Sequence, residues 1–335
     1  MLGKGNWLAH TWRQRGLAAC LLWPLSLLYG WATGFHRWLY RVGLFKTAHF
    51  SVPIIVVGNV VAGGAGKTPL VIALARHLIK QGIQVGVVSR GYARLEKKCV
   101  EVFENTPISQ SGDEPVLIFK ALAAPVFVAN RRSEAIRALL AKYPRTELII
   151  SDDGLQHHSL ASNIKITVFD DRGVGNGWLL PAGPLRERFS PGRQNFVLHT
   201  GQAPAFGGYI SKRRLADHAV AHDGSLVRLQ DLKAQPLTAL AGIANPAAFF
   251  DMLRAQGLVL AKTIALPDHF DFSAFQFPVP TSNVVLCTEK DAVKLFKTHS
   301  NSAFRLLAVP LEFAPEPAFL KAVDDLLVPL LGKAS

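Results

Sequence analysis

The chain has 335 residues, 49% of them hydrophobic and 18% charged, with a formal net charge of +13 and three cysteines. That length accommodates two cores, and the plentiful aliphatic residues, with no low-complexity tract and no recurring period, exclude a disordered chain and a solenoid. Cys20, Cys99 and Cys287 form no Cys-x-x-Cys pair and are too few for a disulfide framework, so a reducing compartment is expected. The charge is unevenly placed: the stretch from Met1 to Arg94 holds eleven Lys and Arg and no acid, the first being Glu96. Such a basic end suits anionic lipid, a phosphorylated substrate or nucleic acid, and charge alone does not choose among them.

Five of the six tryptophans (Trp7, Trp12, Trp23, Trp31, Trp38) fall in the first 38 positions, and Gly16 to Phe35 carries no charge. Three readings stand. A membrane-spanning helix needs about 20 apolar residues; this run qualifies, but Pro24 and Gly30 interrupt it. Basic residues (Arg13, Arg15; Arg37, Arg41, Lys46) flank both ends and give no orientation signal. A helix packed on its own domain is the second reading. An interfacial anchor rich in Trp, Leu and bases is the third, and it explains the flanks without a full crossing. The anchor is the expectation carried forward.

The stretch "VVGNVVAGGAGKTPLVIAL" (56–74) follows a short apolar strand, 53–57, and opens a helix over 67–81 whose Leu70, Val71, Leu74, Leu78 and Ile79 recur at helical spacing. Strand, glycine loop and helix in that order let backbone amides and a helix N-terminus converge on phosphate. The usual spelling G-x-x-x-x-G-K-[ST] fails at its first glycine, where Val61 stands. Gly63, Gly64 and Gly66 still permit the positive φ values and close approach of an anion nest. Val61 to Thr68 (Val61, Ala62, Gly63, Gly64, Ala65, Gly66, Lys67, Thr68) are therefore the candidate nucleotide-binding residues, Lys67 reaching the β and γ phosphates and Thr68 offering its hydroxyl to Mg²⁺. "ELIISDDG" (147–154) ends an apolar strand on Asp152 and Asp153, the expected place for an acidic partner of the metal.

Further stretches follow in order: "SRGYAR" (89–94), "SGDEPVL" (111–117), "ISDDGLQHHSL" (150–160), "FDDRGVGNGWLLPAGPLRE" (169–187), "GIANPAAFF" (242–250), "LPDHFDF" (266–272) and "TEKDAVK" (288–294). With this loop and this order, the chain resembles the tetraacyldisaccharide 4′-kinases, the lipid A 4′-kinases of Gram-negative bacteria. The resemblance runs from the N-terminal helix to about residue 300. It departs from the family pattern at Ala93, Val174 and Phe270, none of them assigned to chemistry. The resemblance implies an enzyme at the cytoplasmic face of the inner membrane that moves the γ-phosphate of ATP to the 4′-hydroxyl of an acylated glucosamine disaccharide 1-phosphate, with ATP and Mg²⁺ bound and the N-terminal helix on the membrane surface. It also implies that Asp113 is the general base and His269 its partner. Spacing alone leaves Asp113 equally able to cap a helix beginning near Glu114.

Glu114 and Asp153, with Asp152 close behind, are the candidates to hold Mg²⁺ beside Thr68. Arg90, Arg131, Arg132, Arg172 and Arg186 are candidates for phosphate contacts. "TEKD" differs in order from a guanine-reading motif, and His157 and His158 have no cysteines near them, which argues against zinc. Strands at 53–57, 84–88, 126–129, 147–151 and 165–169 alternate with helical stretches and predict an α/β fold, a P-loop NTPase-like parallel sheet with helices on both faces. The Pro and Gly cluster from Pro181 to Gly208 reads as a crossover. Strands at 237–241, 283–287 and 305–309 with helices at 246–256 and 316–331 predict a smaller α/β domain. The expected division is 1–48, a membrane-associated segment; 49–205, the nucleotide-binding domain; and 206–335, the C-terminal domain. Two rival functions are weaker: a regulatory ATPase would carry its signature lysine where Ala62 stands, and a nucleic-acid module lacks a recognition motif.

Overall fold

The computed structural model describes residues 7, 10–92, 94–189, 195–201, 203–277, 283–298 and 304–332; Ala93 and residues 190–194 of the expected crossover lie outside these. The strands are β1 (Ile54–Gly58), β2 (Val85–Ser89), β3 (Val100–Glu101), β4 (Val126–Val128), β5 (Leu148–Asp152), β6 (Ile164–Phe169), β7 (Asn195–His199), β8 (Tyr209–Leu215), β9 (His218–Ala221), β10 (Leu226–Arg228), β11 (Leu237–Ala241), β12 (Leu260–Ala265), β13 (Val284–Thr288), β14 (Arg305–Val309) and β15 (Leu311–Pro315). One sheet has nine strands in the order β15-β8-β7-β6-β1-β5-β2-β4-β3. Its interior is parallel, and only the edge pairs β15–β8 and β3–β4 are antiparallel.

The central strands are β-branched runs buried along their whole length, as a parallel sheet covered on both faces requires. Successive side chains serve opposite faces. Ile55, Val57, Val87 and Ile150 join the core under the helices Lys67–Lys80 and Asp113–Ala121. Ile54, Val56, Val88 and Ile149 pack with Ala135, Ile136 and Leu139 of the helix Arg132–Lys142. The second sheet, β10-β9-β14-β13-β11-β12, is built in the same way. Leu286 and Leu307 face Phe249, Phe250 and Leu253 of the helix Pro246–Ala255. Cys287 and Ala308 face Ala292 and Leu295 of the helix Glu289–Thr298.

The chain does not change sheets at residue 206. The expected crossover contains β7, β8 continues the first sheet beside it, and β15 returns from the far end of the chain to close that edge. The helix Pro317–Leu331 follows β15 and lays Phe319, Val323 and Leu327 into the first core. The second sheet is therefore an insertion, 218–309, between two strands that pair with one another. β15 is itself the outermost strand of the first sheet on that side.

The helix Leu17–Arg41 has 25 residues, of which only Ala19 and Ser26 are buried. At about 100° per residue, Leu17, Leu21, Leu28, Trp31, Phe35 and Trp38 share one side, and all are exposed. The opposite side rests on the protein: the Ser26 hydroxyl donates to the Leu179 carbonyl at 2.8 Å and accepts from the Ala182 amide at 2.9 Å. A helix packed into its own domain would bury its large side chains, and this one buries its small ones. By length and composition it could cross a membrane.

Phe319 is 0% exposed and meets the rings of Phe196 and Tyr209. Phe319→Ala is expected to cost about 3–5 kcal/mol in a urea titration read by circular dichroism, because the C-terminal helix is a structural wall of the first core. A loss within experimental error would show that this helix is dispensable to it.

Candidate active site

Strand β1 ends at Gly58 in the middle of the first sheet, and the phosphate loop leaves from its carboxyl end, where ligands bind in open α/β sheets. Gly66 takes a left-handed conformation (φ 81°) and the helix starts at Lys67; Gly63 is also at positive φ (98°). Asn59, fully buried, donates through its amide to the carbonyls of Val61 and Gly63 at 2.6 and 2.9 Å and accepts from Lys67 Nζ at 3.0 Å. One side chain thus folds the loop and aims its lysine. Ala62 N donates to the Pro184 carbonyl, and Val61 forms a bridge with Leu185, so the "PAGPLRE" stretch lies along the loop.

Strand β5 runs beside β1 with Asp152 level with Val57. Asp152 is fully buried, its Oδ1 has no hydrogen-bond partner among the described residues, and Ser89 Oγ lies 3.4 Å from Oδ2. Burial, then the charges of Glu114 and Asp153, push its carboxyl up to about 7. Three mutually repelling carboxylates with an orphaned buried oxygen suit a divalent cation. Asp153, at φ 49°, places Oδ1 3.3 Å from Lys67 Nζ and 3.7 Å from Arg186. Among the described residues no cluster of three or more His, Cys, Asp or Glu is arranged to hold a metal by itself.

Asp113 opens the helix Asp113–Ala121 after Gly112 (φ 84°) and is 3% exposed. His269, 156 residues away, donates from Nδ1 to its carboxylate at 3.0 Å. Lys294 Nζ lies 3.0 Å from the same carboxylate. Burial alone would raise the Asp113 carboxyl, but the His269 hydrogen bond with Lys290 and Lys294 outweighs it and holds the group well below the usual carboxylate range. Lys290 bonds Asp268 at 2.9 Å, approaches Glu114 at 3.4 Å and faces His269 Nε2 at 3.3 Å. With a carboxylate at Nδ1 and an ammonium at Nε2, the partners assign the imidazole proton to Nδ1. His269 adopts φ 59°, a left-handed conformation costing on the order of 1–3 kcal/mol, and the ring of Tyr92 lies 4.8 Å from its own. His269, Lys290 and Lys294 all come from the second sheet's side, so the group forms only where the two sheets meet.

A cavity of about 210 Å³ opens beside Asp153, lined by Tyr29, Arg90, Arg132, Gln156, His157 and Arg186. Arg132, 2% exposed, donates to the Asp152 and Asp153 carbonyls at 3.1 and 2.8 Å and pairs with His157 Nε2 at 2.7 Å. Burial and then Arg132 bring His157 down to about 4. Tyr29 belongs to the exposed N-terminal helix, and its hydroxyl donates to the Arg186 carbonyl at 2.8 Å.

Residues 18–328 match the family model for tetraacyldisaccharide-1-P 4′-kinase. The chain belongs to this family. Tetraacyldisaccharide 4′-kinase of Polaromonas naphthalenivorans is 60% identical over 97% of this chain and 96% of its own. The Acidovorax sp. JS42 enzyme of the same name is 50% identical over 96% and 95%. A crystal structure of LpxK from Aquifex aeolicus in complex with ATP superposes with a TM-score of 0.78 at 28% identity, covering 93% of this chain and 99% of that one.

Lys67, Asp152 and Asp153 meet at the loop of this kinase, and Asp113 meets His269 beside Glu114. Thr68 is buried at the start of the helix. Arg90, Arg132 and Arg186 line the cavity, whereas Arg131 is an exposed residue preceding its helix and Arg172 lies on the loop's carbonyls. In "TEKD", Asp291 is a structural residue, accepting from Gly242 N at 3.0 Å and from the Thr288 hydroxyl at 2.7 Å, while Lys290 faces His269, Asp268 and Glu114. Asn59, Tyr29, Tyr92, Lys290 and Lys294 carry no sequence signal of their own, because their partners lie far along the chain.

A Cβ on Gly66 would sit 2.0 Å from Arg213 Nη2 at a φ unfavourable to side chains, whereas one on Gly64 would meet the Ala244 methyl at 3.0 Å and Asp268 Oδ2 at 3.9 Å. Gly66→Ala is therefore expected to weaken nucleotide binding much more than Gly64→Ala, measured by calorimetric titration with Mg·ATP. Equal effects would contradict this geometry.

Proposed function

We propose that this chain transfers the γ-phosphate of ATP to the 4′-hydroxyl of a tetraacylated glucosamine disaccharide 1-phosphate at the cytoplasmic face of the bacterial inner membrane, yielding lipid IVA. The observation that carries this reading is the cavity beside Asp153. One wall is Tyr29, on the helix whose outward side is lined with Leu, Trp and Phe, and another is the acid that pairs with Lys67. An acceptor whose acyl chains lie in a bilayer would reach such a cavity without leaving it.

Lys67 and the loop amides hold the triphosphate, and the three cavity arginines face the anionic acceptor. Thr68, Asp152, Asp153 and Glu114 would hold Mg²⁺, which when bound neutralises charge on the transferring phosphoryl group. Asp113 accepts the proton of the attacking hydroxyl, and His269 orients its carboxylate. Lys290 and Lys294 keep that carboxylate ionised over a wide pH range, so it is ready as the acceptor. The helix Leu17–Arg41, with Arg37 and Arg41 at its end, holds the enzyme on the anionic leaflet.

ATP turnover should depend on the acylated disaccharide 1-phosphate and produce a bisphosphorylated lipid. Asp113→Ala should lower kcat by about 10² to 10⁴ with little change in KM for ATP, and turnover at the wild-type rate would remove Asp113 from the role of base. Leu28 and Trp31 are 66% and 70% exposed. The double variant Leu28→Asp with Trp31→Asp should move the protein from the membrane pellet to the supernatant on fractionation. An unchanged pellet fraction would rule out the exposed stripe as the attachment surface.

A further inference from the structure

The phosphate loop lacks the first glycine of the common pattern, yet its backbone is more heavily held than a free glycine turn would be. Val61 and Gly63 present their carbonyls to Asn59. Ala62 accepts from Arg172 Nη1 at 3.2 Å and Gly64 from Arg172 Nη2 at 2.9 Å. Ala65 accepts from the Thr200 hydroxyl at 2.9 Å and from Arg213 Nη2 at 3.3 Å. Five successive carbonyls are thus drawn toward side chains of the protein. A peptide unit whose oxygen is fixed on one side has its neighbouring N–H directions restricted as well, because only two backbone dihedrals per residue remain free.

The donors come from adjacent places in the sheet. Arg172 follows β6, Thr200 follows β7 and Arg213 lies on β8, all to one side of β1; the acids of β5 lie to the other. Four of the five N–H donors of Arg172 are engaged within the protein. Its Nε bonds both oxygens of Asp170 at 3.0 and 2.9 Å, its Nη2 lies 2.8 Å from Asp170 Oδ2, and both terminal nitrogens serve the loop. The Gly63 and Gly66 positions admit no side chain because Arg172 and Arg213 press against them.

We infer that Arg172, held by Asp170, and Arg213 are positioning residues for the nucleotide: they brace the carbonyls of 62, 64 and 65 outward so that the loop's amides are already turned toward the phosphates. This assignment rests on the reading of 61–68 as the ATP-binding loop. Preorganisation of this kind favours bound nucleotide before and during transfer alike, so its loss acts on affinity rather than on the chemical step.

The test is steady-state kinetics with direct Mg·ATP titration of the full-length wild type, Arg172→Gln, Arg172→Lys and Asp170→Asn. Arg172→Gln should raise KM and Kd for ATP by about tenfold to a hundredfold, the loss of one or two charge-assisted hydrogen bonds, while kcat and KM for the acylated acceptor stay near wild type. Arg172→Lys, able to serve one carbonyl, should recover part of the affinity. Asp170→Asn, which loosens the guanidinium without touching the loop, should show a smaller rise in the same direction. A collapse of kcat with unchanged ATP affinity would place Arg172 on the transferring phosphoryl group and overturn the brace. Unchanged constants in both Arg172→Gln and Asp170→Asn would overturn it too. Failure of the wild-type chain to bind Mg·ATP would instead defeat the nucleotide reading beneath it.

Discussion

The molecule is organised around one electrostatic requirement: a run of backbone amides and one lysine must face a polyanion at the end of a buried strand. Peptide N–H groups turned to one side imply carbonyls turned to the other, and buried carbonyls need donors. Asn59, Arg172, Thr200 and Arg213 supply them. Central placement of β1 allows this, because strands on one side can deliver donors for the loop while β5 delivers Asp152 and Asp153 on the other.

The second sheet supplies the partners of Asp113. Asp113 belongs to the first sheet's helices, but its partners His269 and Lys294 reach it from the inserted sheet, and Lys290 ties Glu114 to Asp268 across the same gap. A buried carboxylate without these cations would be held only at a large cost in solvation. The contact between the sheets is therefore also what keeps the Asp113 carboxylate charged. Return of β15 and the last helix to the first core anchors both ends of the insertion, which fixes where the second sheet can sit.

Local features were legible in the sequence and distant pairings were not. The strand, glycine loop and helix at 54–80 were read to within a residue or so at each end, since β-branched runs and helical spacing are local signals. Asp152 and Asp153 were found by the apolar run before them. By contrast, β7 lies inside a Pro and Gly cluster that reads as a crossover, and β8, "YISKRRL", a mostly polar strand near the sheet's edge, falls in the stretch assigned to the C-terminal domain with no strand expected there. The pairing of Asp113 with His269 came from family resemblance alone. "TEKD" reads only as a stretch that carries the resemblance, with nothing to single out Lys290, and Arg172 is grouped with candidate phosphate contacts because charge alone does not show that its partners are Asp170 and the loop's carbonyls.

Asp153, which pairs with Lys67 of the phosphate loop, and Tyr29 of the exposed N-terminal helix line one cavity, and the central proposal is that the acceptor enters there to meet the nucleotide and Asp113. Its most direct measurement is a crystal structure of the full chain with Mg²⁺, a non-hydrolysable ATP analogue and the acylated disaccharide 1-phosphate. The account requires the terminal phosphate against the amides of 63–68 and the 4′-hydroxyl within about 3 Å of the Asp113 carboxylate, with the acyl chains running along the outer side of the helix Leu17–Arg41. An acceptor hydroxyl remote from Asp113, or a nucleotide seated away from the loop, would contradict it.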